Sequence, residues 1–198
     1  SDKSDQSALH LLLKDADILL VNFKAGDAEK FGLESSVLRD RYPRLIIGEI
    51  VGYVDSDKVA YDAVLQAESG FMYMNGQPGD PPLKMPVALI DLLAAHQLKE
   101  ALLLALLKRE WEGTGSVVSV ALYNAAVASL ANQASTYLNT GIIPTRQGSL
   151  HPGIAPYGEV FTAADEVDVL LAVGTDEQFR RLLNVLQLED LLSDTRFN

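Results

Sequence analysis

The sequence predicts an α/β fold built on a parallel sheet, and this prediction depends on two short apolar runs with a helical segment between them. The runs cover residues 18–21 and 45–51, and continuous apolar runs of this length are typical of strands buried on both faces. A short helix capped by Ser35 or Ser36 and ending before Pro43 is expected between them. A strand, a helix and a second strand in this order predict a βαβ unit, whose two strands run parallel.

The other elements are predicted from periodicity and turn residues. Leucines at helical spacing predict a helix before the first strand, and Gly32 marks the end of another short helix. The segment 91–110 is rich in Leu and Ala and is the strongest predicted helix of the chain. Thr175 and Gln178 have the spacing of a capping box for the last helix. Further helices are expected at 60–70 and 123–138, and further strands at 117–122, 157–162 and 167–173.

Composition excludes several classes of function. The chain contains no cysteine, which excludes disulfides, thiolate metal sites and a cysteine nucleophile. A formal net charge of −11 argues against a general nucleic-acid surface, because phosphate binding needs clustered Lys and Arg. The apolar stretch 89–107 is interrupted by polar and charged residues, so it predicts a buried helix and not a membrane span. The acidic N-terminus has no signal-peptide pattern and no initiator Met, so we expect a cytoplasmic location and a processed or engineered piece of a longer protein.

Asp91 has the most informative position of the polar residues, because it opens the strongest predicted helix. An aspartate there commonly caps free amide groups and complements the helix dipole, and this structural role is the more frequent one. The same position would also keep a carboxylate ionised and close to backbone donors, as a catalytic group requires. Both interpretations stay open from the residues alone.

The histidines do not predict a metal site. His10, His96 and His151 lie far apart in the sequence and lack zinc-ligand spacing. His10 and His96 are expected to be structural, whereas His151 lies in a Gly- and Pro-rich segment, 139–156, that predicts a linker or an active-site loop. Ser149, in the same segment, lacks the sequence context of a serine-hydrolase nucleophile.

Several motifs, in order along the chain, resemble those of the family III CoA-transferases. Residues 16–26 (ADILLVNFKAG) resemble the family stretch ADVLVENFRPG, and residues 60–70 (AYDAVLQAESG) resemble AYDxxxQAxSG. Residues 84–94 (KMPVALIDLLA) resemble KxGVAIADLLAG, the region of the family's nucleophilic aspartate. Residues 146–157 (RQGSLHPGIAPY) resemble RxGNxHPNIAPY. No single motif is decisive, but their order and spacing together are highly specific.

The resemblance implies a fold and a division into domains. It implies a Rossmann-like parallel sheet with helices, as part of a large CoA-binding and catalytic domain over residues 1–138. Residues 139–156 would be a linker and active-site loop, and residues 157–198 the start of a smaller α+β domain. Family members begin with a strand–helix unit that is absent here, and they continue beyond the last residues of this chain. The resemblance therefore covers a central piece of such an enzyme.

The resemblance also implies a chemistry, in which CoA passes from an acyl-CoA donor to a carboxylic acid acceptor. Asp91 takes the position of the nucleophile, which forms an aspartyl anhydride and then an aspartyl-CoA thioester. Coenzyme A enters as the acyl-CoA substrate, and no metal is expected because thioesters and anhydrides are already activated. Tyr61 and Asp62 match catalytic positions near the reacting centre. The residues that match CoA-contacting positions are Asn22, Phe23, Lys24, Gly148, Ser149 and His151.

Two alternatives accompany this interpretation. An acyl-CoA racemase of the same superfamily pairs the aspartate with a histidine, but Tyr61 occupies that position here, and a phenol is a poor base near neutral pH. The second alternative is a truncated module that binds CoA or dimerises without catalysis. Because family members form interlocked homodimers, a homodimer is expected, with no nucleic-acid or membrane partner.

Overall fold

A computed structural model describes residues 3–197, with backbone only for residues 3 and 4. The chain forms two compact units, each treated separately below. The first unit contains the chain up to Tyr73 and residues 83–144, and the second contains residues 74–82 and the chain from Thr145 onward. No helix among the described residues is both long and apolar enough to span a membrane.

The first unit alternates strands and helices, as the sequence predicts. Its strands are β1 (Ile18–Val21), β2 (Ile46–Val51) and β3 (Val117–Ala121). Its helices are α1 (Lys3–Leu13), α2 (Asp27–Phe31), α3 (Ser35–Arg41), α4 (Asp62–Glu68), α6 (Leu89–Glu112), α7 (Leu122–Ala128) and α8 (Ala131–Thr140). A short helix, α5 (Phe71–Met74), ends where the first unit passes into the second.

The three strands form one parallel sheet in the order β1-β2-β3, which confirms the predicted α/β class. Ile18 pairs with Ile46, and Ile47 pairs with Val117. The central strand is the most buried, with Ile46 at 0% and Ile47 at 1% exposure. The expectation that the first strand is buried on both faces is wrong, because β1 is an edge strand and Leu20 is 61% exposed.

Two clusters of apolar side chains hold the first unit together. One cluster, beside α1 and α3, contains Leu13, Leu38 and Ile47. The other joins three helices through Leu65 of α4, Ile90 of α6 and Ala126 of α7, all fully buried. Because Ile90 is the residue before Asp91, this second cluster anchors the beginning of α6 in the core.

Helix α6 packs along β2 and β3 and runs against the direction of the strands. Near its C-terminus the buried Arg109 side chain binds Asp17 through an ion pair of 2.9 Å and donates to the carbonyl oxygens of Asp17 and Arg44 at 3.3 Å. Asp17 immediately precedes β1, and Arg44 lies two residues before the start of β2. The C-terminus of α6 therefore lies at the amino edge of the sheet, and the helix ends at Gly113 with φ 76°.

Two predicted helices have different bounds in the structure. The helix expected at 60–70 is shorter, because Tyr61 is extended and leads into α4, which covers Asp62–Glu68. The helix expected at 123–138 is broken into α7 and α8, and Ala131 at the break has φ 49°. The Ser129 hydroxyl donates to the Ala125 carbonyl oxygen at 2.8 Å, a local bond typical of serines near helix ends.

The second unit contains an antiparallel pair and a helix. Strands β4 (Tyr157–Thr162) and β5 (Asp168–Ala172) form the pair, and α9 (Asp176–Leu186) is followed by a 3-10 helix, Glu189–Ser193. The predicted cap of α9 is confirmed, because Thr175 Oγ1 accepts a hydrogen bond from the Gln178 N–H at 3.2 Å. The Gln178 side chain in turn accepts from the Gly174 N–H at 2.9 Å.

Candidate active site

The N-terminus of α6 lies at the carboxyl edge of the parallel sheet. Leu98 of α6 packs against Gly48 in the middle of β2, where an added Cβ would meet the Leu98 side chain at 3.4 Å. Asp91 precedes Leu98 by seven residues, about 10 Å of helix. The end of β2 at Val51 is about 10 Å of strand beyond Gly48. Asp91 is therefore close to the level at which the strands end, where open parallel sheets bind their ligands.

Asp91 is the third residue of α6 and does not cap it. The helix begins at Leu89, two residues earlier than the sequence predicts. The Asp91 side chain is exposed, and among residues 3–197 no hydrogen bond or ion pair engages its carboxylate. The structural role that is most common for an aspartate at a helix start is therefore not the role of Asp91 here.

The cap of α6 comes from another helix. Asp62, the first residue of α4, accepts a hydrogen bond from the Ile90 N–H through Oδ1 at 2.8 Å. The free amide of the first turn of α6 is thus satisfied by a carboxylate from 28 residues earlier in the chain. This bond joins the start of α4 to the start of α6 and leaves the neighbouring Asp91 carboxylate free.

Gln66 completes the connection between the two helices. Its side chain is fully buried, and Nε2 donates to Asp62 Oδ2 at 2.7 Å and to the Val87 carbonyl oxygen at 3.3 Å. Its Oε1 accepts from the Met85 N–H at 2.8 Å. The amide therefore binds both α4 and the segment that leads into α6. Gln66 lies in the AYDAVLQAESG motif, but its role in joining the two helices was not predicted from the sequence.

The surroundings of Asp91 disfavour its ionised form. Partial burial raises the pKa of Asp91 above its usual range, and the nearby charge of Asp62 raises it further. The sequence predicted the opposite, a helix N-terminus that favours ionisation. Two physical causes oppose the helix N-terminus: partial burial removes solvent from the Asp91 carboxylate, and Asp62, which already occupies the amide of Ile90, adds a like charge.

Tyr61 lies beside this pair, at the N-cap position of α4. Its side chain is 65% exposed, and its extended backbone, with φ −128°, directs the chain into the helix. A polar cluster nearby secures the turn that precedes it: the Tyr53 hydroxyl donates to Glu68 at 2.6 Å, and Lys58 forms an ion pair with the same carboxylate. The hydrogen bond from Lys58 lowers the pKa of Glu68, and the bond to Glu68 raises the pKa of Tyr53.

The predicted CoA-contacting residues of the first unit lie directly after β1, also at the carboxyl edge of the sheet. Phe23 packs on the core beside Phe31, with the ring centroids 5.7 Å apart. Asn22 and Lys24 are exposed. No hydrogen bond or ion pair within residues 3–197 joins these side chains to Asp91, and their binding role stays a prediction.

The remaining predicted residues belong to the second unit, whereas Asp91 belongs to the first. Gly148 has φ 62° and donates its N–H to the Gly76 carbonyl oxygen at 2.9 Å. His151 is bound locally: its Nδ1 accepts from the Gly153 N–H at 3.1 Å, and its ring contacts Tyr157 edge-on. Ser149 is exposed, and its carbonyl oxygen lies against Gly158. The expectation that this loop contributes to CoA binding stays a prediction.

The part of the chain that the structure describes contains no group of three or more His, Asp or Glu side chains placed to hold a metal ion. In the first unit a free carboxylate, Asp91, lies on the N-terminus of α6, and the hydrogen-bonded carboxylate of Asp62 lies near it. A carboxylate without hydrogen-bond donors retains its electron pairs for attack on a substrate.

Comparison with known proteins identifies the family. The whole chain, residues 1–198, matches the model of CoA-transferase family III. The chain belongs to this family.

Named members of CoA-transferase family III are similar to the chain along nearly its full length. The succinate–glutarate CoA-transferase of Agrobacterium fabrum is 38% identical over 94% of this chain and 47% of its own length. The succinyl-CoA:mesaconate CoA-transferase of Haloarcula hispanica is 33% identical over 96% of this chain and 50% of its own length. The chain thus spans about half the length of the curated relatives that it matches.

Solved structures of similar proteins confirm the fold. A CaiB/BaiF family protein from Brucella suis superimposes with a TM-score of 0.81 at 32% identity, over 99% of this chain and 52% of that protein. A hypothetical protein from Mycobacterium tuberculosis gives a TM-score of 0.83 at 30% identity, over 99% of this chain and 54% of that protein. The recognition of the chain as a partial CaiB/BaiF family protein is therefore confirmed.

Proposed function

We propose that this chain is the nucleophile-bearing part of an acyl-CoA:carboxylate CoA-transferase, with Asp91 as the nucleophile. The observation that supports this most is the free Asp91 carboxylate beside the Asp62 cap. A structural aspartate in the first turn of a helix would bind that turn, and here another residue performs this task. Family membership and the named relatives support the type of reaction.

The proposed reaction consists of four exchanges at carbonyl carbons. The Asp91 carboxylate attacks the thioester carbonyl of the donor, and CoA thiolate leaves as a mixed anhydride forms. The thiolate attacks the aspartyl carbonyl and releases the donor acid, which gives an aspartyl-CoA thioester. The acceptor carboxylate then displaces the thiolate to form a second anhydride. The thiolate finally attacks the acyl carbonyl of the acceptor, and Asp91 leaves as a carboxylate.

The site suits this sequence of steps for two reasons. Partial burial and the charge of Asp62 destabilise the ionised Asp91, so its electron pairs are less stabilised by solvent than those of an ordinary surface aspartate. The positive end of the α6 dipole lies at the same place and favours the oxyanion that forms at each carbonyl. Water exclusion is required for the anhydrides to survive, and a closing loop in residues 148–152 is proposed to provide it.

Further proposals follow from the resemblance and from the length of the relatives. Residues 1–138 would belong to the large CoA-binding domain, with residues 139–156 as linker and residues 157–198 as the start of the small domain. The exposed Asn22 and Lys24 and the half-buried Phe23 would contact CoA. The whole protein would be a cytoplasmic homodimer, and light scattering of the purified protein tests its subunit number. A mass equal to one chain would contradict the dimer.

The experiment that tests the nucleophile is mass spectrometry of the protein after incubation with acyl-CoA donors. Succinyl-CoA is the first donor and glutarate and mesaconate the first acceptors, because relatives are named for these compounds. We expect a CoA adduct on the peptide that contains Asp91, and its loss in Asp91→Asn. Asp176→Asn is the matched control, because Asp176 is also an acidic residue in the first turn of a helix.

The Asp91→Asn variant is expected to fold at least as stably as the parent at neutral pH. Because the folded state raises the pKa of Asp91, its ionised form opposes folding above the usual pKa of an aspartate. A neutral amide removes that opposition. Transfer activity that survives in a folded Asp91→Asn protein would overturn the assignment. CoA binding without any adduct in the parent would favour a non-catalytic module, and exchange of an α-proton without an adduct would favour a racemase.

A further inference from the structure

The buried amide of Gln66 connects α4 to the segment that leads into α6. It is 0% exposed, and its three hydrogen bonds reach Asp62, Met85 and Val87 at 2.7, 2.8 and 3.3 Å. Both N–H donors of the amide and one lone pair of its oxygen are therefore used. A side chain with these partners must both donate and accept, which neither an aliphatic residue nor an ionised carboxylate does.

The connection continues from Gln66 to Asp91 in two steps. Gln66 holds Oδ2 of Asp62, and Oδ1 of the same carboxylate holds the Ile90 N–H at 2.8 Å. Ile90 is fully buried and immediately precedes Asp91. Gln66 also binds the Met85 N–H and the Val87 carbonyl oxygen, in the segment that leads into α6. The direction in which the first turn of α6 presents Asp91 thus depends on one glutamine.

We propose that Gln66 is a positioning residue for the reaction of Asp91, acting through the Asp62 cap and through residues 85–87. This inference depends on the proposed function for its chemical readout. Asp62 is, on this proposal, also a positioning residue, since both of its oxygens are used by protein donors. The role of Gln66 is distinct from packing, because it requires a donor toward Asp62 and an acceptor toward Met85.

The hydrogen bonds from Gln66 to Asp62 and from Asp62 to the Ile90 N–H form a hydrogen-bond relay. Few charged or titratable groups surround it, so the effect of a proton on a side chain at position 66 can be tested. Besides Asp62 and Asp91, the surrounding elements contribute Tyr61 before α4, Lys84 before α6, His96 on α6 and Tyr123 on α7. Glu68, on α4, is already bound to Lys58 and Tyr53. A carboxyl group introduced in place of the Gln66 amide would be buried beside Asp62, so its pKa would rise.

Two variants with opposite protonation behaviour test the proposal. In Gln66→Glu, the protonated acid donates to Asp62 and accepts from Met85, whereas the ionised acid repels Asp62. The measured quantity is the ratio of the variant's rate of adduct formation to the parent's rate at the same pH. At high pH we expect Gln66→Glu to form the adduct about 100-fold more slowly than the parent. The ratio should rise toward one as the pH falls. In Gln66→Leu it should stay low at every pH, with CoA affinity unchanged. Gln133→Glu, on α8, is the control and should equal the parent throughout.

A second measurement separates failure of this inference from failure of the proposed function. Amide hydrogen exchange of Ile90 reports the Asp62 cap directly, without any reaction. The protection factor of this amide, which is its intrinsic exchange rate divided by its measured rate at the same pH, should be low in Gln66→Leu, and in Gln66→Glu it should rise again at low pH. An adduct rate in Gln66→Leu equal to that of the parent, or a ratio in Gln66→Glu that does not change with pH, would overturn the positioning role. If the parent forms no adduct on Asp91, the proposed function is wrong, and so is the positioning role of Gln66 in that reaction. The exchange data would then test only whether Gln66 holds the Asp62 cap in place.

Discussion

Replacing Gly115 with alanine should destabilise the first unit far more than the same change at Gly48. Gly115 precedes β3, and an added Cβ there would lie 2.0 Å from the Leu45 carbonyl oxygen and 2.5 Å from the Leu45 carbonyl carbon. Carbon and oxygen atoms normally approach to about 3.3 Å, so the backbone must move by more than about 1 Å. The added Cβ would meet backbone atoms of Leu45 and Arg44, so no side chain can rotate away to relieve the clash.

The magnitude of the effect follows from two contributions. Overpacking against a fixed backbone costs about 1–3 kcal/mol. The movement also breaks the hydrogen bond from the Gly115 N–H to the Pro43 carbonyl oxygen, now 2.7 Å, which contributes about 1 kcal/mol. We therefore expect Gly115→Ala to lower the free energy of unfolding by about 2–4 kcal/mol.

Gly48→Ala is the matched control, because its Cβ would meet only the ends of leucine side chains. The nearest atoms are Leu20 Cδ2 at 2.8 Å and Leu102 Cδ2 at 3.1 Å, and the exposed Leu20 side chain can rotate. Replacing a strand glycine by alanine also gains about 0.5–1 kcal/mol, so the net change should stay within about 1 kcal/mol. Urea denaturation followed by circular dichroism measures both variants. Equal midpoints for the two would refute this reasoning.

Two further predictions concern the ends of α6. Asp62→Asn should lower the pKa of Asp91, because it removes the like charge. The acidic limb of the pH–rate profile should then move to lower pH. The pKa of Asp91 should still stay above its usual value, since burial is the larger cause of the raised pKa. An acidic limb that does not move would show that Asp62 has no electrostatic influence on Asp91. Arg109→Met should cost only about 1 kcal/mol in urea denaturation, because the lost bonds to Asp17 and Arg44 are offset by the desolvation penalty of a buried guanidinium. Arg109→Ala adds a cavity and should cost about 3 kcal/mol, so equal losses in the two variants would contradict this balance.

Local patterns were sufficient for the elements of the fold but not for all of their bounds. The apolar runs at 18–21 and 45–51 predicted two parallel strands, because period and composition are local properties. The exposed Leu20 of β1 was not predictable, because burial of an edge strand depends on what lies beside it. The break at Ala131 likewise has no strong local signal, since an alanine-rich segment favours a continuous helix.

Asp91 could be selected from the sequence alone, both from its position at a helix start and from the motif around it. The family also followed from motif order, because those residues are contiguous in the chain. The actual state of Asp91 depends instead on Asp62 and Gln66, which come from α4 and approach only when α4 packs against α6. Capping by a distant carboxylate, burial of the glutamine amide and the raised pKa of Asp91 are products of that packing, and only the tertiary structure decided them.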